Sequence, residues 1–271
     1  MNIEIAKPLC YLSNLSKNKS DKQKITQNFR LSTMNKELPF IREMFEKISP
    51  KYDMLNRMLS LRQDVLWRKT MISAMELPDT RANTVIVLDA ACGTGDVAVE
   101  ILKHKKSKVK VVGADFSTGM LMMAKRKIKG LLNGSNISLC GADAFNLPFR
   151  DETFDAITIA FGIRNISDKD TVLKIFHKSL KHGGMLLVLE LTKPEQDFLL
   201  SVYLHYFKKI LPAIGHFFSK HENAYTYLPL SVENFPDTST FASMIKSAGF
   251  VNIKWKKMTF GIATLFVGYK I

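Results

Sequence analysis

The chain has 271 residues, 46% hydrophobic and 24% charged, which is enough for one substantial core and shows no division into two comparable halves. No apolar run approaches the ~18 residues of a membrane span, and the first residues lack the continuous apolar stretch of a secretory signal. The formal net charge of +14 raises nucleic acid as a partner, but no aromatic-plus-basic stripe accompanies it.

Residues 1–36 are polar and rich in Lys, Ser and Asn, and read as a disordered extension. Much of the positive charge sits there (Lys17, Lys19, Lys22, Lys24) and in the loop from Lys103 to Lys110. Such charge suits solvated surface or an anionic lipid face as well as it suits nucleic acid, so nucleic acid is not expected. Met34 offers an alternative translation start. The single Arg30 fits poorly with an Arg-rich mitochondrial presequence, so whether residues 1–33 are translated or target the chain stays open.

Residues 37–271 form the expected domain. From Pro39 to Met75 the pattern is helical, with Ile41, Met44, Phe45 and Ile48 on one face and Leu55, Met58, Leu59, Leu66 and Met71 on others. Pro50 interrupts it. Strands then follow at 85–89, 109–115, 137–140, 156–160 and 185–190, with a helix at 170–181. Strands alternating with helices predict a parallel sheet with right-handed crossovers. An insertion at about 195–235 is helical and crowded with aromatic residues. A helix at 238–248 is stopped by Gly249, and 253–258 with 263–269 form an antiparallel hairpin. The three cysteines, Cys10, Cys92 and Cys140, are scattered, which suits a reducing cytoplasm and supports neither a disulfide framework nor a metal site.

The most informative segment is Asp89-Ala90-Ala91-Cys92-Gly93-Thr94-Gly95-Asp96, placed between the first strand and a helix. Glycines there tolerate φ > 0 and let the backbone approach a ligand. Asp115 ends the second strand, where an acid can accept both hydroxyls of a ribose. Gly93, Gly95 and Ala98 also satisfy the dinucleotide fingerprint, so NAD competes on the glycines alone. Asp89 and Asp96 decide between the two, since carboxylates near a helix N-terminus suit a cationic ligand better than a pyrophosphate. S-adenosylmethionine, with a sulfonium and an ammonium group, is the cofactor expected.

Three further blocks carry a family resemblance: Tyr52-Asp53-Met54-Leu55-Asn56-Arg57-Met58-Leu59-Ser60 with Trp67; Phe161-Gly162-Ile163-Arg164-Asn165; and Lys181-His182-Gly183-Gly184 before Leu189-Glu190-Leu191-Thr192-Lys193-Pro194. From about Phe40 to the C-terminus the chain resembles the ubiquinone/menaquinone biosynthesis C-methyltransferases. The resemblance implies an α/β, seven-stranded, Rossmann-like S-adenosylmethionine-dependent methyltransferase fold with N-terminal helices and a C-terminal antiparallel hairpin. It also implies methylation of a polyprenyl quinol ring. The family usually has Met at Leu55, His at Asp64 and Pro at His182, so no role of that His carries over. Ubiquinone-type members often have Ser at Ala160, which favours demethylmenaquinol here over a 2-methoxy-6-polyprenyl-1,4-benzoquinol; another small-molecule methyltransferase is the remaining alternative.

For the cofactor, the residues and the resemblance together point to Asp89, Gly93, Thr94, Gly95, Asp115, Phe116, Asp143, Ala144 and Ala160. Thr94 and the turn amides are expected on the methionyl part, Asp115 on the ribose, Phe116 against the adenine, and Asp143 with the Ala144 amide at the adenine amino group. For the chemistry, the phenolate formed when a quinol hydroxyl loses its proton spreads charge onto the ortho carbon that attacks the methyl group. No metal is needed. Arg164 is expected to stabilise that phenolate, with Asn165 beside it and Tyr52 completing the hydrogen-bond chain. The structural alternatives are an ion pair for Arg164, packing for Tyr52 and a turn cap for Asp143. The six histidines have no partner evident from spacing and read as surface or packing. Aromatic residues from Phe198 to Phe218 are greasy enough to cover a prenylated ring and to touch a membrane surface transiently. A cytoplasmic protein, peripheral on the inner face of the membrane, is the expected setting; homo-oligomerisation stays open.

Overall fold

The computed structural model describes residues 38–78, 84–104, 108–131, 133–194 and 222–271. In chain order these form α1 (Leu38–Ile48), α2 (Tyr52–Leu59), α3 (Gln63–Ser73), β1 (Val85–Ala90), α4 (Asp96–His104), β2 (Val109–Asp115) and α5 (Thr118–Lys129). Then come β3 (Ile137–Gly141), β4 (Phe154–Ala160), α6 (Lys169–Ser179), β5 (Leu180–Leu191), α7 (Glu222–Glu233), α8 (Thr238–Ser247), β6 (Val251–Met258) and β7 (Ala263–Tyr269). The expected tail at 1–36 and the aromatic stretch Phe198–Phe218 lie outside the described residues. Among the described residues no helix is long and apolar enough to cross a membrane.

The strands form one seven-stranded sheet in the order β3-β2-β1-β4-β5-β7-β6. β1 to β5 are parallel, and β7 runs antiparallel to both β5 and β6. The central strands are buried on both faces, as apolar runs such as Val85–Leu88 require. One face packs against α3, α4 and α5 through Trp67, Met71, Ile101 and Ala124. The other packs against α6 and α8 through Leu173, Phe176, Phe241 and Ile245.

Local chemistry sets the ends. The side chains of Ser117, Asp168 and Asp237 accept amide hydrogens at the N-termini of α5, α6 and α8. Gly249, at φ +104°, ends α8: its amide donates to Lys246 O at 3.0 Å and the Phe250 amide to Ile245 O at 3.4 Å, the paired bonds of a Schellman stop. Several boundaries depart from expectation: β4 and β6 each begin two residues early, and β5 begins at Leu180 and not at 185. α6 ends at Ser179 and not at 181, because Leu180 already pairs with Phe154 at the start of β5.

The strand order reverses between β1 and β4. A crevice at the carboxyl ends of those two strands is the expected ligand position in an open α/β sheet.

Candidate active site

The turns after β1 and β4 build the crevice. Gly93 (φ +54°) and Gly95 (φ +79°) take the left-handed conformation that the glycine pattern predicted. Ala91 (φ +50°) and Phe161 (φ +58°) take it without being glycine, which costs on the order of 1–3 kcal/mol each and is tolerated where surrounding structure enforces it. A Cβ on Gly162 would lie 2.8 Å from the Ala91 Cβ, so the two strained turns touch only because that residue is glycine.

The resulting cleft opens partly to solvent, and the space within it, its open mouth included, is about 860 Å³. Its walls include Tyr52, Gly93, Asp115, Phe116, Asp143, Ala144, Ala160 and Asn165, all anticipated from sequence. Asp115 Oδ2 accepts the Gly93 amide at 2.8 Å and Oδ1 the Ser117 amide at 2.8 Å. The Phe116 amide also acts on this carboxylate, which keeps lone-pair capacity for a ligand donor. Burial pushes its pKa up to about 6, opposed by those amides and reinforced by Glu46. Asp143 Oδ1 accepts the Phe145 amide at 3.0 Å while the residue lines the cleft; it is a turn cap and a cleft residue at once.

Asp89 sits deeper, outside the cleft wall. Its Oδ1 accepts the Thr158 hydroxyl at 3.0 Å, and Oδ2 is buried with no hydrogen-bond partner among the described residues. Burial raises its pKa to about 7, partly offset by Thr158. Gly95 also stands back from the cleft, where a Cβ would meet Ala124 Cβ at 3.3 Å.

Two expectations are corrected. The Thr94 side chain turns away from the cleft and donates to Asp53 Oδ1 at 2.5 Å, while Lys127 donates to it at 3.1 Å. It belongs to a shell of ion pairs behind the turn. There Asp96 meets Arg57 at 2.5 Å, Arg68 at 3.0 Å and Lys127 at 2.5 Å, and Lys127 also meets Asp53 at 2.7 Å. Asp64 pairs with Arg57 and Arg68 in the same shell. Asp96 is therefore spent on protein cations and gives no support for a cationic ligand, contrary to the argument from its position.

Arg164 is the second correction. It does not line the cleft; its Nη1 donates to Glu190 Oε1 at 2.6 Å and to Phe161 O at 2.7 Å, and Nε to Ser231 Oγ at 3.3 Å. Its own amide donates to Glu190 Oε2 at 3.0 Å. The fork expected on a phenolate instead braces the loop after β4 from behind.

Asn165 and Tyr52 remain at the cleft. The Tyr227 hydroxyl on α7 donates to Asn165 Oδ1 at 3.1 Å, a partner that no sequence signal marked because it lies in a separate segment. Burial raises the Tyr52 phenol above its ordinary value, with the Arg164 charge opposing, so it carries its proton at neutral pH. Sequence reading also missed the part α1 plays. Ile41 and Phe45 line the cleft, and Phe45 meets Tyr52 and Phe116 edge-on at 6.0 and 6.5 Å between centroids. Glu46 fixes α1 there by accepting the Ser117 hydroxyl at 3.1 Å and the Gly119 amide at 2.8 Å. The apolar face through Ile41 and Phe45 was visible; its destination was not.

Comparison with known proteins places the cleft in context. The profile of the ubiE/COQ5 methyltransferase family matches residues 32–270. A ubiquinone/menaquinone biosynthesis C-methyltransferase UbiE of Geobacter sulfurreducens is 40% identical over 230 residues, covering 85% of this chain and 88% of that protein. A demethylmenaquinone methyltransferase of Staphylococcus saprophyticus is 38% identical over 230 residues, covering 85% of this chain and 96% of that protein. Among solved structures, a SAM-dependent methyltransferase from Thermotoga maritima superposes with a TM-score of 0.58 at 20% identity, covering 85% of this chain and 99% of that one. The [4+2]-cyclase SpnF gives 0.60 at 16% identity, covering 85% and 95%. These structural likenesses establish the Rossmann-like methyltransferase fold and nothing about substrate, since one fold hosts several chemistries.

Proposed function

Since the chain belongs to the ubiE/COQ5 methyltransferase family, it is an S-adenosyl-L-methionine-dependent C-methyltransferase of a quinone ring, and we propose that its substrate is demethylmenaquinol and its product menaquinol. The observation that carries the choice of ring is the pair of demethylmenaquinone methyltransferases from Staphylococcus saprophyticus and Staphylococcus epidermidis, at 38% and 39% identity. Ala160 in the cleft wall supports it, standing where benzoquinol-type members often carry Ser.

The residues fit the cofactor. Asp115, an acceptor in the cleft wall, suits the ribose diol; Phe116 suits the adenine face; Asp143 and the Ala144 amide suit the adenine edge. Gly93, with no Cβ, lets the turn approach the methionyl part. Asp89, buried behind the cleft wall, ties β1 to β4 through the Thr158 hydroxyl. When bound, the cofactor supplies an electrophilic methyl group. The chain has to orient the ring carbon toward it and steady the charge that the quinol oxygen develops.

That work falls to Asn165 and Tyr52. Tyr227, donating to Asn165 Oδ1, leaves the amide nitrogen as the donor for a quinol oxygen, and the protonated Tyr52 supplies a second donor. Arg164 is a positioning residue: its pair with Glu190 holds the Asn165 loop in place. Arg164→Lys keeps the charge and loses the planar fork, so kcat should fall while KM for the cofactor stays close to that of the native enzyme. Recovery of full kcat would assign Arg164 to packing alone. We also propose a cytoplasmic location with transient contact at the membrane that holds the quinol.

The test is methyl transfer by the purified full chain to short-chain demethylmenaquinol and to a 2-methoxy-6-prenyl benzoquinol, followed by product mass. Methylation of the naphthoquinol alone, or at a much higher kcat/KM, is expected. A preference for the benzoquinol would overturn the choice of ring.

A further inference from the structure

Two of the most exposed apolar side chains in the described structure stand on adjacent tight turns. Leu61, at the turn between α2 and α3, is 79% exposed, and Phe260, at the tip of the β6–β7 hairpin, is 77% exposed. The turns are joined: the Thr259 hydroxyl bonds Gln63 Oε1 at 3.3 Å and accepts the Trp67 indole N–H at 2.9 Å. Leu66, on the exposed side of α3 nearby, is 54% exposed.

Both turns are strained in the same way. Leu61 and Arg62 have φ of +50° and +64°, and Thr259 and Phe260 have +47° and +58°. Bulky side chains rarely adopt this left-handed region, where Gly or Asn would sit easily. Stability alone would not place Leu and Phe at such positions and then leave them in water. Something other than the folded monomer in solution accounts for them.

The surroundings identify the occupant. Between Ser60 and Thr70 the only acid is Asp64, buried against Arg57 and Arg68; between Val251 and Ala263 there is none. Exposed Arg62 stands in the first turn, and exposed Lys69 lies further along α3, beyond Leu66. Lys254 and Lys256 pair with Val267 and Leu265 on β7, which places them on the sheet face that α3 covers. Lysines on an edge strand also discourage strand pairing, but that role explains neither exposed tip. Two apolar tips within a one-sign basic rim match an anionic bilayer surface, where apolar side chains enter the headgroup boundary and Lys and Arg meet lipid phosphate.

The orientation is also suitable. Leu191 at the carboxyl end of β5 pairs with Ala263 beside the hairpin tip. The tip therefore stands at the end of the sheet where the cleft opens. We propose that the Leu61 and Phe260 turns form a docking surface for an anionic phospholipid bilayer, and that docking there turns the cleft end toward the membrane. Its functional meaning rests on the lipid-quinol reading, but lipid binding can be measured without any quinol. These residues are other than the Phe198–Phe218 stretch that the sequence suggests, which lies outside the described residues.

The experiment is co-sedimentation of the full chain with vesicles of phosphatidylglycerol and phosphatidylcholine, and with phosphatidylcholine vesicles alone. The native chain is expected to bind the anionic vesicles at low salt. The double variant Leu61→Asn/Phe260→Asn should lose about tenfold or more in partition coefficient. Its melting temperature should hold or rise, because Asn accepts the left-handed backbone, and its turnover on a soluble short-chain quinol should be unchanged. Lys254→Gln and Lys256→Gln should each cost about fivefold on anionic vesicles, the equivalent of about 1 kcal/mol per charge. No vesicle binding by the native chain, or equal partition of the double variant, would overturn the proposal. So would a native dimer that the double variant dissociates, since a second copy would then be the occupant. A chain that docks but methylates no quinol would count against the functional reading alone, and one that methylates without docking against this inference alone.

Discussion

The glycine turn separates two groups of aspartates with opposite electrostatics. Behind it, Asp53, Asp64 and Asp96 face Arg57, Arg68 and Lys127 in a charge-balanced shell. Burial pushes Asp96 upward, but Arg68 and Lys127 more than reverse this and hold its pKa at about 2. In front of and beneath the turn, Asp115 and Asp89 form no ion pair with a basic side chain among the described residues, and burial carries them to about 6 and about 7. The same residue type thus serves as fastening on one side and as unsatisfied acceptor on the other. Stability rests on the balanced shell, and binding capacity on the carboxylates left without counter-ions.

The sharpest way to break this contrast is Asp64→Ala. It leaves the buried Arg68 and the partly exposed Arg57 with Asp96 alone, and removing one member of a buried pair costs about 3–5 kcal/mol, less for the exposed Arg57 half. Denaturant unfolding would show it as a lowered midpoint with little change in slope. A loss below about 1 kcal/mol would mean that solvent already screens the shell.

The second test reverses the sign. The folded Asp89 carboxyl keeps its proton to about pH 7, whereas an unfolded aspartate releases it near 4. The native state binds more protons across that window, so stability falls as pH rises through it and the penalty is complete above pH 7. Asp89→Asn should flatten this decline, a gain on the order of 4 kcal/mol at pH 8. Thermal melts of both proteins from pH 5 to 8 would reveal it; parallel curves would show Asp89 to be hydrated or paired in solution.

Binding should respond to Asp115. Asp115→Asn turns one acceptor into a donor facing an amide N–H, and should weaken S-adenosylmethionine by about 1.5–3 kcal/mol in calorimetry. In the native chain affinity should drop as pH falls through about 6, where Asp115 protonates, and the variant should lose that dependence. Unchanged affinity would remove Asp115 from the site. The smallest effect belongs to Thr94→Val, which deletes the hydroxyl bonded to Asp53. It should cost about 1 kcal/mol of stability and leave cofactor affinity unaltered; a large loss of affinity would return the Thr94 side chain to the cleft.

Much of this was written locally. The apolar runs at 85–89 and 109–115, the positive-φ glycines of the turn, the stop at Gly249 and the closing hairpin all follow from residue chemistry within a few positions, and the structure contains each of them. The family blocks added which loops would meet at the crevice. What the sequence could not state is which partner each charge takes. Asp89, Asp96 and Asp115 look alike on the page, and so do Arg68 and Arg164. A pKa depends on burial and on charges brought within a few ångströms, and those come from elsewhere in the chain: Arg57 and Arg68 to Asp96, Glu190 to Arg164, Tyr227 to Asn165. Periodicity also showed that the helix through Ile41 and Phe45 had an apolar face, but only packing decided that this face would wall the cleft, with Glu46 fastening it to α5. Sequence determined the strands and the turn because backbone preferences are local; the tertiary structure decided the roles of the charges because electrostatics acts through space.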